Sequence, residues 1–295
     1  MPVRAAYLGV ILIWSTTPLA SQWSMQSGFL FALTARLSIG AVVAILMIIL
    51  MRKEVELHRK ALTGYAIAGV TLCLAMGSMY WAMQHIPSGW VSVLFGLSPI
   101  ITAVLAWMFL DEGKLNLLSL AGILFGLLAL FLIFSSSLNF TPASSAGVAA
   151  GVFSTFSHAA SAVWLKRLQP VKSGLVLSTG GMLIAVPILI IVGSFIGTDW
   201  TPALSMREVS AIIYLGVVAS AVGFSLYYFV LRNVSATRVS LITQITPVVC
   251  LILGSWLNNE PLVANVWIGT GLISFGLLMF ELGQRKMIAP IRAAR

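Results

Sequence analysis

The chain is a succession of long apolar runs separated by short polar or charged punctuation. Ten runs are long enough to cross a bilayer: residues 5–25, 29–51, 62–84, 88–110, 115–135, 145–166, 174–197, 207–230, 236–258 and 263–283. A helix needs about 20 apolar residues to span about 30 Å of hydrocarbon. A transmembrane barrel would instead alternate polar and apolar positions in segments of about ten residues, and Ala41 to Leu50 is unbroken apolar sequence. The pattern therefore predicts an all-α membrane protein with ten transmembrane helices. Arg4 ahead of the first run resembles the start of a signal peptide, yet Pro18-Leu19-Ala20 is a poor cleavage sequence. The run reads as a retained first helix.

Composition sharpens this picture. Of 295 residues, 59% are apolar and 8% charged, against roughly 45–50% and about 25% in soluble domains. Neither a soluble fold nor disorder is compatible with such a chain. The net charge of +9 would suggest acidic partners in a soluble protein, but here its placement matters more. With the N-terminus in the cytoplasm, fifteen of the 17 Lys and Arg fall on the cytoplasmic side, and only Arg36 and Arg207 fall toward the other. By the positive-inside rule the charge is an orientation signal, with both termini cytoplasmic in a bacterial inner membrane, and no nucleic-acid partner is expected. Cys73 and Cys250 lie inside apolar runs, where a free thiol behaves as a small hydrophobe.

The uncharged polar stretch Ser135 to Ala146 divides the chain into 1–137, carrying helices one to five, and 146–295, carrying helices six to ten and a short basic tail, with 138–145 as linker. The halves are related. Shifting Tyr80–Glu112 by 148 residues lays it on Tyr228–Glu260 without a gap, with identities at Tyr80/Tyr228, Val91/Val239, Ser92/Ser240, Pro99/Pro247, Leu105/Leu253 and Glu112/Glu260. An odd number of spans per half turns the two copies upside down relative to each other, which is the 5+5 inverted-repeat plan of secondary transporters.

At this point the sequence resembles a known family. Leu97 to Glu112 (LSPIITAVLAWMFLDE) followed by Gly122 and Gly126, and Ile245 to Glu260 (ITPVVCLILGSWLNNE) followed by Gly271 and Gly276, look like the paired signatures of EamA-type members of the drug/metabolite transporter superfamily. Trp14 early in the first helix and Arg36 early in the second fit that pattern. The resemblance covers essentially the whole chain. It implies a 5+5 carrier, commonly exporting amino acids or related metabolites, and leaves the substrate open.

Candidate chemistry is sparse. Ionisable groups at the bilayer centre are costly and therefore informative. His158 in helix six is the most central, and two readings stand: a polar or proton-responsive contact for substrate, or a neutral ring bonded to a neighbouring helix. The eight acids, Glu54, Glu56, Asp111, Glu112, Asp199, Glu208, Glu260 and Glu281, all fall at helix ends or in loops. A proton-coupled exporter of cations wants a buried carboxylate, and small multidrug members of the resembled superfamily place one in the first helix. Here that helix offers Trp14, Ser15, Thr16, Thr17 and Pro18, read either as a bent cavity wall or as a packed kink. The expected solute is neutral or zwitterionic.

Pro99 and Pro247 hold equivalent places in helices four and nine, and a matched pair of interrupted helices points to a binding site, although Pro is also simply common in membrane helices. Tyr80-Trp81 and Tyr227-Tyr228-Phe229 are read first as an interfacial aromatic belt and second as gates or cavity walls. Ser92, Ser240, Thr243 and Gln244 either glue helices or touch ligand. Arg36 is expected to snorkel or bond a carbonyl, and Glu112 and Glu260 to brace turns.

No phosphate-cradling Gly loop, metal-ligand spacing or Ser-His-Asp set is present, so neither an enzyme nor a cofactor or metal is expected. The substrate-binding candidates are Trp14, Ser15, Tyr80, Ser92, Pro99, His158, Tyr228, Ser240, Gln244 and Pro247. The expected function is amino-acid or small-metabolite export driven by a proton or other ion gradient or by facilitated flow, by a monomer or homodimer among membrane lipids. Export of drugs or nucleoside-like compounds, and a non-transporting membrane assembly or lipid-interacting role, are the alternatives.

Overall fold

The computed structural model describes residues 2–86, 91, 94–110, 116–134, 141–246, 249, 268–269, 271–280 and 282–283. Six helices among them are long and apolar enough to cross a membrane: α1 (Val3–Ser24), α2 (Phe29–Leu50), α3 (Arg59–Ala82), α6 (Pro142–Leu168), α7 (Gly174–Phe195) and α8 (Met206–Asn233). Shorter helices complete the described part: α4 (Ser98–Phe109), α5 (Leu117–Phe134), α9 (Ala236–Ser240) and α10 (Gly271–Phe280). The all-α membrane architecture expected from the sequence is present. Much of the ninth expected span, together with Ser92, Glu112, Pro247, Cys250 and Glu260, lies outside the described residues.

Helix starts follow local chemistry. An N-terminus leaves four amides without intrahelical partners, and short polar side chains answer them. Thr141 accepts from the Ser144 amide while the Ser144 hydroxyl accepts from the Thr141 amide. The helix therefore begins at Pro142, inside the stretch 138–145 read as linker. Ser205 and Glu208 form the equivalent reciprocal pair at the start of α8. At the other end of α8, Lys166 Nζ donates to the carbonyls of Leu231, Arg232 and Val234 at 2.9, 3.0 and 2.7 Å. A cation there both satisfies orphan acceptors and complements the helix dipole.

The outside of the bundle is apolar and the inside is small. Leu8, Leu46, Leu183 and Phe195 are exposed, as lipid-facing residues must be. Where helices cross, glycine lets backbones approach: a Cβ added to Gly122 on α5 would collide with the Gly276 carbonyl on α10, and one added to Gly276 would collide with that of Gly122. Gly126 packs against the Gln244 side chain, whose Nε2 donates to the Ile123 carbonyl at 3.2 Å. The contacts run across the chain's middle: α7 lies on α2 and α3, α8 on α1 and α2, and α6 on α3 and α4.

Two features were invisible in the hydropathy pattern. Leu72–Met76 in α3 and Leu215–Phe224 in α8 are π-helical. The 148-residue shift carries Leu72–Met76 onto Ser220–Phe224, inside the second π segment. Such segments are rare and concentrate at functional sites. The expected span 88–110 is also interrupted, with a turn at Gly96-Leu97 and Pro99 in the first turn of α4, where the missing N–H costs nothing.

Candidate functional site

The residues that line the main cavity come from helices on both sides of the chain's midpoint. The void measures about 130 Å³. Trp14, Thr17 and Pro18 supply the α1 wall, Arg36 the α2 wall, and Ala75, Met76, Met79 and Met83 the α3 wall. Val91, Phe95, His158, Phe224, Thr243 and Thr246 close the remainder. Ala75, Met76 and Phe224 belong to the π segments, so the helical irregularities shape the lining directly.

One side is an aromatic cluster. Trp14 stacks on Tyr227 with ring centroids 5.0 Å apart and planes at 27°. His158 lies 5.8 Å from Trp14, 5.3 Å from Tyr227 and 6.2 Å from Phe95. Phe224 meets Trp14 edge-on at 6.4 Å. Each well-oriented pair adds about 0.5–1.5 kcal/mol beyond its burial, so this wall is stiff. The Met76, Met79 and Met83 stripe is its complement, since thioether side chains adapt to irregular solutes.

Arg36 lines the same cavity from α2. Only 2% exposed, it does not snorkel as expected, nor does it bond a carbonyl among the described residues. Its position is about 10 Å from the start of α2 at 1.5 Å per residue, on the buried face that also carries Leu33, Leu37 and Gly40, and the side chain reaches inward. Nε donates to Ser220 Oγ at 2.9 Å and Nη1 to Tyr80 Oη at 3.1 Å, while Tyr80 donates on to Ser21 Oγ at 3.2 Å. Ser220 sits in the α8 π segment. A cation at membrane depth costs roughly 2.5–3.5 kcal/mol on insertion scales, and a hydrogen bond to a charged group returns about 1.5–3 kcal/mol. Two hydroxyls can thus hold the guanidinium in place without neutralising it. Among the described residues no carboxylate pairs with it.

Of the candidates read from the sequence, Trp14 and His158 line the cavity. Tyr80 stands one hydrogen bond behind it, fully buried. Tyr228 is buried against Tyr227 at 5.3 Å. The belt reading of these tyrosines is corrected: a belt residue meets headgroups and water, and these three rings lie inside the bundle. Ser15 donates to the Ile11 carbonyl at 2.6 Å and Ser240 to the Thr237 carbonyl at 2.7 Å, each within its own helix turn. Those two, Pro99 and Gln244 are not part of the lining, whereas Ser92 and Pro247 fall outside the described residues. The sequence reading passed over Phe95, Phe224 and the methionines. For the methionines a signal existed, because 76, 79 and 83 recur at helical spacing.

The description of the EamA-like transporter family matches residues 5–135 and 145–282. "Uncharacterized transporter YoaV" of Bacillus subtilis (strain 168) is 28% identical over 97% of this chain and 99% of its own. "Uncharacterized inner membrane transporter YedA" of Escherichia coli (strain K12) is 24% identical over 99% of this chain and 96% of its own. A solved crystal structure shares the fold with a TM-score of 0.81, covering 97% of this chain and 98% of that one at 18% identity. These matches set aside the reading of a non-transporting module, and the chain belongs to the EamA-like transporter family as a membrane transporter.

Proposed function

We propose that this transporter exports small zwitterionic or neutral metabolites, amino acids foremost, across the bacterial inner membrane, by exposing one central cavity alternately to each side. The carrying observation is the cavity itself: it is lined by helices from both halves of the chain, with aromatic rings and thioethers in its walls. Its volume of about 130 Å³ is well below the roughly 300–1,000 Å³ of drug-sized sites, which favours a small metabolite over the drug or nucleoside alternative.

Several observations support rocking of two inverted five-helix halves. One family description matches two stretches of similar length. The packing is reciprocal, since α2 on α8 has its counterpart in α7 on α3, and α1 on α8 in α6 on α3. The π segments correspond under the same shift that relates Tyr80 to Tyr228. The partition of Lys and Arg supports cytoplasmic termini. A proton or other ion gradient, or the solute's own gradient, supplies the energy.

The test is efflux from liposomes containing the purified protein and loaded with labelled amino acids, with and without a pH gradient. Efflux above that of protein-free liposomes for at least one amino acid is expected. Efflux equal to the empty control for every one sinks the proposal, and sustained efflux of organic cations instead would favour the drug reading.

A further inference from the structure

We infer that Arg36 is the anion anchor of the transport site, so that the carried solute presents a carboxylate to its guanidinium and an apolar body to the aromatic wall. This inference rests on the transport reading above and narrows it to apolar α-amino acids with a free carboxylate.

Arg36 lines the cavity while 2% exposed. A guanidinium has five N–H donors; Ser220 and Tyr80 engage one each, on Nε and Nη1. Nη2 bonds nothing among the described residues, yet the sealed polar atoms without partners are Thr34 Oγ1, Ser98 Oγ, Thr102 Oγ1 and Trp200 Nε1. Nη2 is not among them, and Arg36 is one of the residues that line the cavity. Of the five N–H donors, three on Nη1 and Nη2 thus remain without a partner among the described residues, and such donors are what a guanidinium offers a carboxylate. Hydroxyls from α3 and α8 fix the guanidinium's orientation before any ligand arrives, the preorganisation a binding site needs. Trp14 and Phe95, which line the same cavity, are aromatic rings of the kind whose faces attract an ammonium without an acid.

A purely structural Arg36, tying α2 to α3 and α8, would not discriminate among ligands, and this separates the two roles. The experiment is thermal stabilisation of the purified full-length protein in uncharged detergent by each of the twenty amino acids and by the matching amino-acid amide, which keeps the amine and side chain and lacks the carboxylate. At least one acid is expected to stabilise the wild type with an apparent affinity tenfold or more above its amide. Arg36→Gln should erase that ratio and Arg36→Lys retain part of it. If no acid exceeds its amide on the wild type, the inference is overturned, and this arm needs no variant to fold. Stabilisation by added phosphatidylglycerol alone, lost in Arg36→Gln, would assign the guanidinium to a lipid headgroup and equally overturn it. Arg36-dependent binding of an acid without efflux from liposomes would instead defeat the transport reading and leave the anchor standing.

Discussion

Arg36 and Tyr80 meet at 3.1 Å across the contact between α2 and α3, and the tyrosine hydroxyl passes the chain on to Ser21 of α1. Three helices of the first half are thus joined by one polar thread inside an apolar bundle. Tyr80→Phe removes the acceptor and leaves a buried donor unanswered, which costs about 1–3 kcal/mol. A lower melting temperature in detergent is the expected reading, with a smaller loss for Ser21→Ala because only a neutral bond goes. Equal stability of Tyr80→Phe and wild type would show that the thread bears no weight.

The aromatic wall makes a separate prediction. Trp14→Phe keeps a ring face toward Tyr227 and His158 and should leave efflux within a few-fold of wild type, whereas Trp14→Ala should lower it about tenfold, the loss expected from one or two ring pairs. His158→Ala should reduce flux and change its pH profile. An unchanged rate and profile would confine His158 to packing.

Gly122 and Gly276 set the closest approach of α5 and α10. Alanine at either position forces the helices apart, at about 1–3 kcal/mol for overpacking. The double substitution should cost less than the sum, because the first displacement already makes room for the second. Melting of the two single variants and the double variant checks this; strict additivity would argue that the two glycines are not in mutual contact.

A loop clasp outside the membrane-spanning segments gives a pH dependence. Glu56 accepts from the Lys172 amide at 2.9 Å and lies 3.1 Å from His58 Nε2, joining the α2–α3 loop to the α6–α7 turn. The Lys172 amide first, and the His58 hydrogen bond second, hold its carboxyl below the ordinary 4.5. A depressed folded value means the clasp is fully present above pH 4.5 and is lost as pH falls through the folded value. The group is partly exposed, so the effect is modest. Melting temperature from pH 6 down to pH 3 should fall less steeply in Glu56→Gln than in wild type; parallel slopes would remove Glu56 from the account.

Much of this was legible in the sequence. The apolar runs anticipated α1, α2, α3, α6, α7 and α8 to within a few residues, because a 30 Å apolar slab imposes a length on every span. Trp14 and His158, which line the cavity, stood out in the sequence because each was unusual in its run. Arg36 was misread because its distance from a helix end suggested an escape to water, and nothing in a linear pattern tells whether a long side chain turns outward or inward. Tyr80 and Tyr227 were placed in a belt for the same reason. The π segments could not be seen at all, since hydropathy carries no information about which carbonyl an amide chooses.

Those π segments bear on how the gene can change. Deleting one residue from an ordinary spanning helix turns everything beyond it by about 100°, pointing core side chains at lipid. A π turn already holds one residue more than an α turn, so a deletion within Leu72–Met76 or Leu215–Phe224 can be absorbed by reverting to α geometry, with Tyr80 and Tyr227 keeping their headings. In a chain otherwise locked by length, these two stretches are where a codon can be lost without losing the helix, and a deletion scan of α3 and α8 would show tolerance confined to them.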